Sequence, residues 1–217
     1  LPYPSLFRSV SAEDRARALA ADVDAAGGHT LPIRADSADA EALQRTVAAV
    51  EAQFGRIDIL VNSAGILVHK DLAETTLADY DRIAAVNVRA LFVATQAAAP
   101  HMGAGGRIVN IGSMVADRAG SPGVALYAMS KAAVAGLTRG LARDLGPRGI
   151  TVNNVQPGPT ETEIVADESV RAHLRAQIPV GRMGQDAEIA ALVAYLVGAE
   201  AGYVNGASLT IDGGFVA

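Results

Sequence analysis

The chain of 217 residues contains no cysteine, which excludes a disulfide framework and a thiolate metal site. Its four histidines, His29, His69, His101 and His173, are scattered without ligand spacing, so no catalytic metal is expected. No run of lysine and arginine offsets a net charge of -5 and a pI near 5.3. That balance argues against a nucleic-acid partner or an anionic membrane surface. Long apolar runs are missing too: stretches such as Ile189–Val197 fall far short of a membrane span. The opening Leu1-Pro-Tyr-Pro-Ser-Leu-Phe7 has neither a basic segment nor a long apolar one, so it does not read as a signal peptide. A cytoplasmic location is the default expectation.

What is present is a globular composition, 50% hydrophobic and 19% charged, in a length suited to one domain, residues 1–217, with a sizeable core. Ser11-Ala-Glu-Asp14 reads as a helix start and Gly27-Gly28 as its stop. Thereafter buried strands and helices alternate. Strands are expected at 29–35, 57–61, 107–111, 150–155 and 208–211. Helices are expected at 39–54, 76–99, 124–145, 165–177 and 186–197. The continuous apolar run Ile57–Val61 predicts a strand covered on both faces. Alternation of this kind implies a doubly wound parallel α/β sheet of Rossmann-like form, with helices on both faces. The long connection from Pro157 to Gly184 is placed where a lid or substrate wall belongs.

Ligands of such sheets bind beyond the C-terminal strand ends, and several strand ends here carry informative residues. One ends at Asp36, whose carboxylate could accept from a base amine or cap the next helix. Another ends in Asn62-Ser-Ala64-Gly65, where small residues let backbone approach a ligand or simply turn. A third ends at Gly112-Ser113, a hydroxyl at the ligand edge or a helix cap. A fourth runs into Pro157-Gly158-Pro-Thr-Glu-Thr162, a sharp turn followed by hydroxyls. On the helix after Ser113, Tyr127 and Lys131 stand four residues apart and share a face. A cation beside a phenol favours the phenolate, so the Tyr127 pKa is expected to fall from about 10. A tyrosine tuned in that way can exchange a proton with a substrate oxygen.

In this order, Asn62-Ser-Ala-Gly65, Asn87, Ser113, Tyr127, Lys131, Pro157-Gly158 and Thr162 resemble the short-chain dehydrogenase/reductase family. The resemblance runs from about residue 11 to the end and includes Asp212-Gly-Gly214. It is nearest the classical subfamily, which includes 3-oxoacyl-acyl-carrier-protein reductases. The resemblance implies hydride transfer between NAD(P)(H) and a ketone or secondary alcohol. Tyr127 then matches the general acid/base, and Lys131 the residue that lowers its pKa and binds the nicotinamide ribose. Ser113 matches the hydroxyl that orients the substrate oxygen. Asn87 matches the helix amide holding a water in a proton relay. Asn62, Ala64 and Gly65 match the segment along the adenosine ribose, and Asp36 the adenine contact. Pro157, Gly158 and Thr162 match the carboxamide contacts. The family's use of the 76–99 and 124–145 helices for assembly implies a homotetramer.

The departure from the family lies at the front. A Gly-rich turn between first strand and first helix should cradle the pyrophosphate. Here the first glycine is Gly27, and Gly103-Ala-Gly-Gly106 precedes a strand instead of following one. The matching strand nearest the front, about Leu6–Val10, corresponds to the family's second, so a central strand is missing and two sheet edges are expected to stand unpaired. Either a segment before Leu1 carries that strand and turn, or another strand fills the gap, or the chain is a member without dinucleotide binding. The complete catalytic set favours the first, and an intact mass close to 22.2 kDa would count against it. Near the second-strand end, Arg8 with Ser9 or Ser11 could meet a 2′-phosphate, and no acid occurs before Glu13, so NADP(H) is favoured over NAD(H). The substrate is expected to meet residues 66–74, 114–125 and 160–184, with Arg118, Glu161, Glu163 and Arg182 as polar readers. Competing readings are a non-catalytic oligomeric binding protein on this fold and a lyase or dehalogenase, which the retained Lys131 and Thr162 disfavour.

Overall fold

In the computed structural model, residues 5–9, 13–162 and 167–217 are described. The Ser11 helix cap, Val165–Ala166 together with Glu163 among the substrate readers, and the Leu1–Pro4 start therefore lie outside the described residues. Strand β1 (Ser5–Ser9) leads to helix α1 (Glu13–Ala25) and β2 (Thr30–Arg34). Then come α2 (Ala40–Phe54), capped by the Asp39 carboxylate, and β3 (Ile59–Asn62). Helix α3 (Leu77–Ala84) opens in a reciprocal capping box between Thr76 and Asp79. It passes through a π-helical turn (Ala85–Arg89) into α4 (Ala90–Ala98). Strand β4 (Arg107–Ile111), α5 (Ala125–Leu145) and β5 (Thr151–Pro157) follow, then α6 (Glu168–Gln177), α7 (Asp186–Val197) and β6 (Ser208–Ile211).

All strand pairs are parallel. The described strands form two sheets, β1–β2 and β3–β4–β5–β6. The break falls between β1 and β3, where the family resemblance lacks a strand. Edge position explains why one sequence expectation is overturned. Ile59 and Val61 of β3 are 38% and 42% exposed, so that apolar strand is not covered on both faces.

Elsewhere the sheet is covered as a doubly wound fold requires. On one face Ile108 and Val152 pack with Ala98, Ala142 and Leu145 from α4 and α5. On the other, Val109 and Val155 pack with Leu196 of α7. The helical run Leu77–His101 corrects a second expectation. It is 25 residues long and holds an 18-residue window of mean hydropathy 1.2, so it is long and apolar enough to cross a membrane. Packing of α2, β3 and α5 against it buries 56% of that window, the pattern of a core helix.

Candidate active site

The catalytic candidates converge where β4 meets α5. Ser113 follows β4 and caps a single 3₁₀ turn, Met114–Ala116, its hydroxyl oxygen accepting from the Val115 N–H at 3.3 Å. Tyr127 and Lys131 lie in the first two turns of α5. The Ser113 hydroxyl lies near enough to the Tyr127 phenol to favour its phenolate, and Lys131 Nζ sits over the phenol ring, 5.6 Å from its centroid. Ser113 and Lys131 are both buried. Lys131 Nζ donates to the Ile111 carbonyl at 2.8 Å, which anchors the ammonium to the end of β4.

The electrostatics reverse one expectation. Burial raises the Tyr127 pKa above its ordinary value, with the Ser113 hydroxyl opposing. Desolvation costs the phenolate more than its surroundings return. Burial remains the larger effect on the phenol, while Lys131 Nζ, 5.6 Å from the ring centroid, makes its hydrogen bond to the Ile111 carbonyl. Its own pKa is depressed by burial to about 8, so its charge is itself in part withheld.

Asn87 lies in the π-helical turn and is buried. A π turn inside an α-helix shifts side-chain direction and is a frequent feature of functional sites. Both ends of the Asn87 amide grip one peptide segment: Oδ1 accepts from Ile66 N–H at 2.8 Å and Nδ2 donates to Ile66 O at 2.9 Å. Nδ2 also donates to Ser130 Oγ at 3.0 Å, and Ser130 Oγ donates to the Tyr127 carbonyl at 2.8 Å. Ser130 was not singled out from the sequence. Its place between Tyr127 and Lys131, three residues after the tyrosine on a helix, is the signal that could have found it.

The other predicted residues are distributed along the strand ends. Asn62 directs its amide into the sheet, donating to Asn110 Oδ1 at 2.9 Å and Thr95 Oγ1 at 3.3 Å. Ala64 and Gly65 follow in the exposed loop. A Cβ on Gly65 would stand 3.5 Å from Lys131 Nζ and 3.6 Å from Asn87 Oδ1, so the missing side chain leaves room beside the lysine. Asp36 is exposed and accepts from the Ala38 N–H at 2.8 Å. Pro157 ends β5. Gly158 follows it against Asp212, where an added Cβ would come within 2.4 Å of the Asp212 Cβ. Thr162 is exposed, its carbonyl accepting from Arg171. The Arg8 backbone lies on β1 opposite Ile33. Among the substrate-side residues, Arg182 is held by a bidentate pair with Glu188 at 2.7 and 2.8 Å. No group of three or more His, Asp or Glu among the described residues could hold a metal.

These residues fit the nicotinamide-ribose half of a dinucleotide: Gly65 opens the space beside Lys131, and the phenol and hydroxyl face each other at the strand ends. For the pyrophosphate half, the described residues contain no Gly-rich turn between a strand and a helix start.

A half-buried phenol beside a buried hydroxyl and ammonium at the carboxyl edge of a parallel α/β sheet defines an acid/base site of the dinucleotide-linked oxidoreductase type. Comparison with known proteins agrees. A family model described as enoyl-(acyl carrier protein) reductase matches residues 7–216. A short-chain dehydrogenase/reductase from Serratia marcescens is 55% identical, with a TM-score of 0.94 over 98% of this chain and 87% of that one. A short-chain dehydrogenase from Burkholderia cenocepacia, solved in complex with NADP, is 48% identical, with a TM-score of 0.95 over 98% and 87%. The cyclic-di-GMP-binding biofilm dispersal mediator protein of Escherichia coli is 43% identical over 96% of this chain and 85% of its own length. The chain belongs to the short-chain dehydrogenase/reductase family and is an NAD(P)-dependent oxidoreductase.

Proposed function

We propose that the protein catalyses NADP(H)-linked interconversion of a ketone and a secondary alcohol of modest size, with Tyr127 as general acid/base. The observation that carries this reading is the convergence of the Ser113 hydroxyl on the Tyr127 phenol, with Lys131 buried over the same ring. When bound, the nicotinamide supplies or takes up the hydride. In reduction, the Tyr127 hydroxyl donates its proton to the carbonyl oxygen and Ser113 hydrogen-bonds that oxygen as charge develops. The phenolate then regains a proton from solvent. The phenol is protonated at neutral pH, as the acid role needs, and the burial that raises its pKa makes it a weaker acid in the cofactor-free chain.

Lys131 would hold the ribose side beside Gly65, Asn87 a water of the proton relay behind the lysine, and Pro157, Gly158 and Thr162 the carboxamide side. Asn62, Ala64 and Asp36 would line the adenosine half. The NADP(H) preference draws support from the NADP bound in the Burkholderia relative and from Arg8 on β1. Assembly as a homotetramer is supported by Phe92 of α4 and Met129 of α5, large apolar side chains left exposed on the two helices. A monomer by light scattering would count against it. Rates with NADPH and NADH over a panel of ketones test the central reading. NADPH oxidation that depends on ketone and falls at least about a hundredfold in Tyr127→Phe is expected. Equal or better use of NADH would refute the cofactor preference, and an unaffected Tyr127→Phe would refute the mechanism.

A further inference from the structure

Just below the catalytic edge, β3 to β6 carry polar side chains in lateral register. Asn62 lies opposite Asn110, Asn110 opposite Asn154, and Asn154 opposite Ser208. The row divides into two arms. In the first, Asn62 donates to Asn110, and Asn110 Nδ2 donates to Thr138 Oγ1 of α5 at 2.9 Å. That arm ties strands to a helix. The second arm leads to the site itself. Asn154 Nδ2 donates to Ser208 Oγ at 3.0 Å and to Gln156 Oε1 at 3.1 Å. Gln156 Nε2 in turn donates to Asp117 Oδ2 at 2.6 Å.

Asp117 closes the 3₁₀ turn that Ser113 opens. The turn bearing the Ser113 hydroxyl is thus fixed at its far end by a side chain reaching up from β5. It is also braced at its near end. A Cβ on Gly112, the residue before Ser113, would lie 2.5 Å from Asn154 Oδ1, so the Asn154 amide is pressed against the backbone that delivers the serine. Asn154 and Gln156 are both fully buried. Two buried amides on a central strand are costly unless hydrogen-bonded. Asn154 Oδ1 accepts no hydrogen bond from the described residues. Sheet packing alone would be served as well by two apolar side chains, as Val152 serves on the same strand face. The amides are accounted for by what they hold.

We propose that Gln156 is a positioning residue, which with Asn154 and Asp117 forms a strut that sets the Ser113 hydroxyl against Tyr127. Its effect on turnover rests on the oxidoreductase reading above; its effect on the Ser113–Tyr127 contact does not. Breaking the strut frees the 3₁₀ turn, and Ser113 then holds the phenol and the substrate oxygen less well. Small displacements of an orienting group cost large factors in rate.

The test uses Gln156→Met, of similar length without the hydrogen bond, and Asp117→Ala at an exposed position. Asp117→Asn retains an oxygen that can accept from Gln156 Nε2. Two quantities are read on the full chain. The first is kcat and KM for ketone and NADPH. The second is the Tyr127 titration by ultraviolet difference against Tyr127→Phe, made without cofactor. Gln156→Met and Asp117→Ala are each expected to lower kcat about tenfold with little change in the NADPH KM. The double variant should be no worse than either single one. Both should move the phenol titration upward, as the Ser113 hydroxyl that favours the phenolate moves away, with Lys131 the charged group over the same ring. Asp117→Asn should restore most of the rate. Parent-like kcat and titration in Asp117→Ala would overturn the proposal, as would Asp117→Asn failing as badly as Asp117→Ala. Should Gln156→Met not fold, the Asp117 pair decides. Should the parent reduce no ketone, the oxidoreductase reading fails and the titration still decides the strut.

Discussion

Lys131 shows how one residue can be costly to the fold and useful to the site. Its ammonium is buried, and desolvation brings its pKa down to about 8 from 10.5. A depressed lysine pKa means that the unfolded chain holds more protons than the folded one between those values. Stability therefore rises as pH rises through that window. Tyr127 works oppositely, because its folded pKa is raised: its contribution is intact below its unfolded value near 10 and is lost above it. Between pH 8 and 10 the lysine effect stands alone. Denaturant unfolding of the cofactor-free chain is expected to show a gain of roughly 2 kcal/mol across that interval, absent in Lys131→Met. A flat profile in the parent would mean that the ammonium is solvated. The grouping of Ser113, Tyr127 and Lys131 was legible in the sequence through the order of motifs that resembles the family, since YxxxK spacing by itself only puts Tyr127 and Lys131 on one helix face. The direction of the Tyr127 shift was not. Spacing places the two groups on one face, but the depth of burial and the orientation of Nζ toward the Ile111 carbonyl depend on tertiary packing.

Elements were readable to the extent that their signals are local. Strands β4 and β6 and helix α7 fall where apolar runs and punctuation put them, and α2 ends at Gly55, which takes a left-handed φ of 78°. The π-helical turn around Asn87 was not readable, since the sequence periodicity runs through it without a break. Nor was the strut, whose members Asp117 and Gln156 are far apart in sequence and meet only across β4 and β5. Gly158 shows a tertiary demand written as a single residue. The end of β5 approaches the turn after β6 so closely that an added Cβ would lie 2.4 and 2.6 Å from Asp212 Cβ and Cα. Those are backbone-fixed atoms, so no rotamer change relieves the clash. Gly158→Ala is expected to destabilise the fold by about 1–3 kcal/mol. It should also raise the KM for NADPH, because Pro157 and Gly158 shift together at the strand edge. Thermal melts and steady-state kinetics check both effects. A variant as stable as the parent would show that the two turns can separate at little cost.

At the scale of the molecule, the uneven partition of strands is the dominant fact. Strands β3–β6 share a sheet whose central strands β4 and β5 are covered on both faces by α4, α5 and α7. Strands β1 and β2 pair, among the described residues, only with each other. Among the described residues, none from α1 or β2 joins the main core clusters, although Ala20 and Ala35 are buried. A two-stranded parallel ribbon has little independent stability, and the regions with fewest buried apolar contacts open first. The chain of 217 residues is therefore expected to unfold in two steps under hydrogen exchange. Amides of β2, such as those of Leu31 and Ile33, should exchange at least about a hundredfold faster than those of Ile108, Val109 and Val152. The slow set should report the global stability, because Ile108, Val109 and Val152 are fully buried on central strands. Lowering the stability of the β3–β6 unit by Gly158→Ala should speed the slow set and leave the β2 amides unchanged, since opening of the ribbon does not pass through that unit. Equal protection in both sets would mean that β1–β2 is coupled to β3 as tightly as if one sheet joined them, and that the break between the sheets has no energetic consequence.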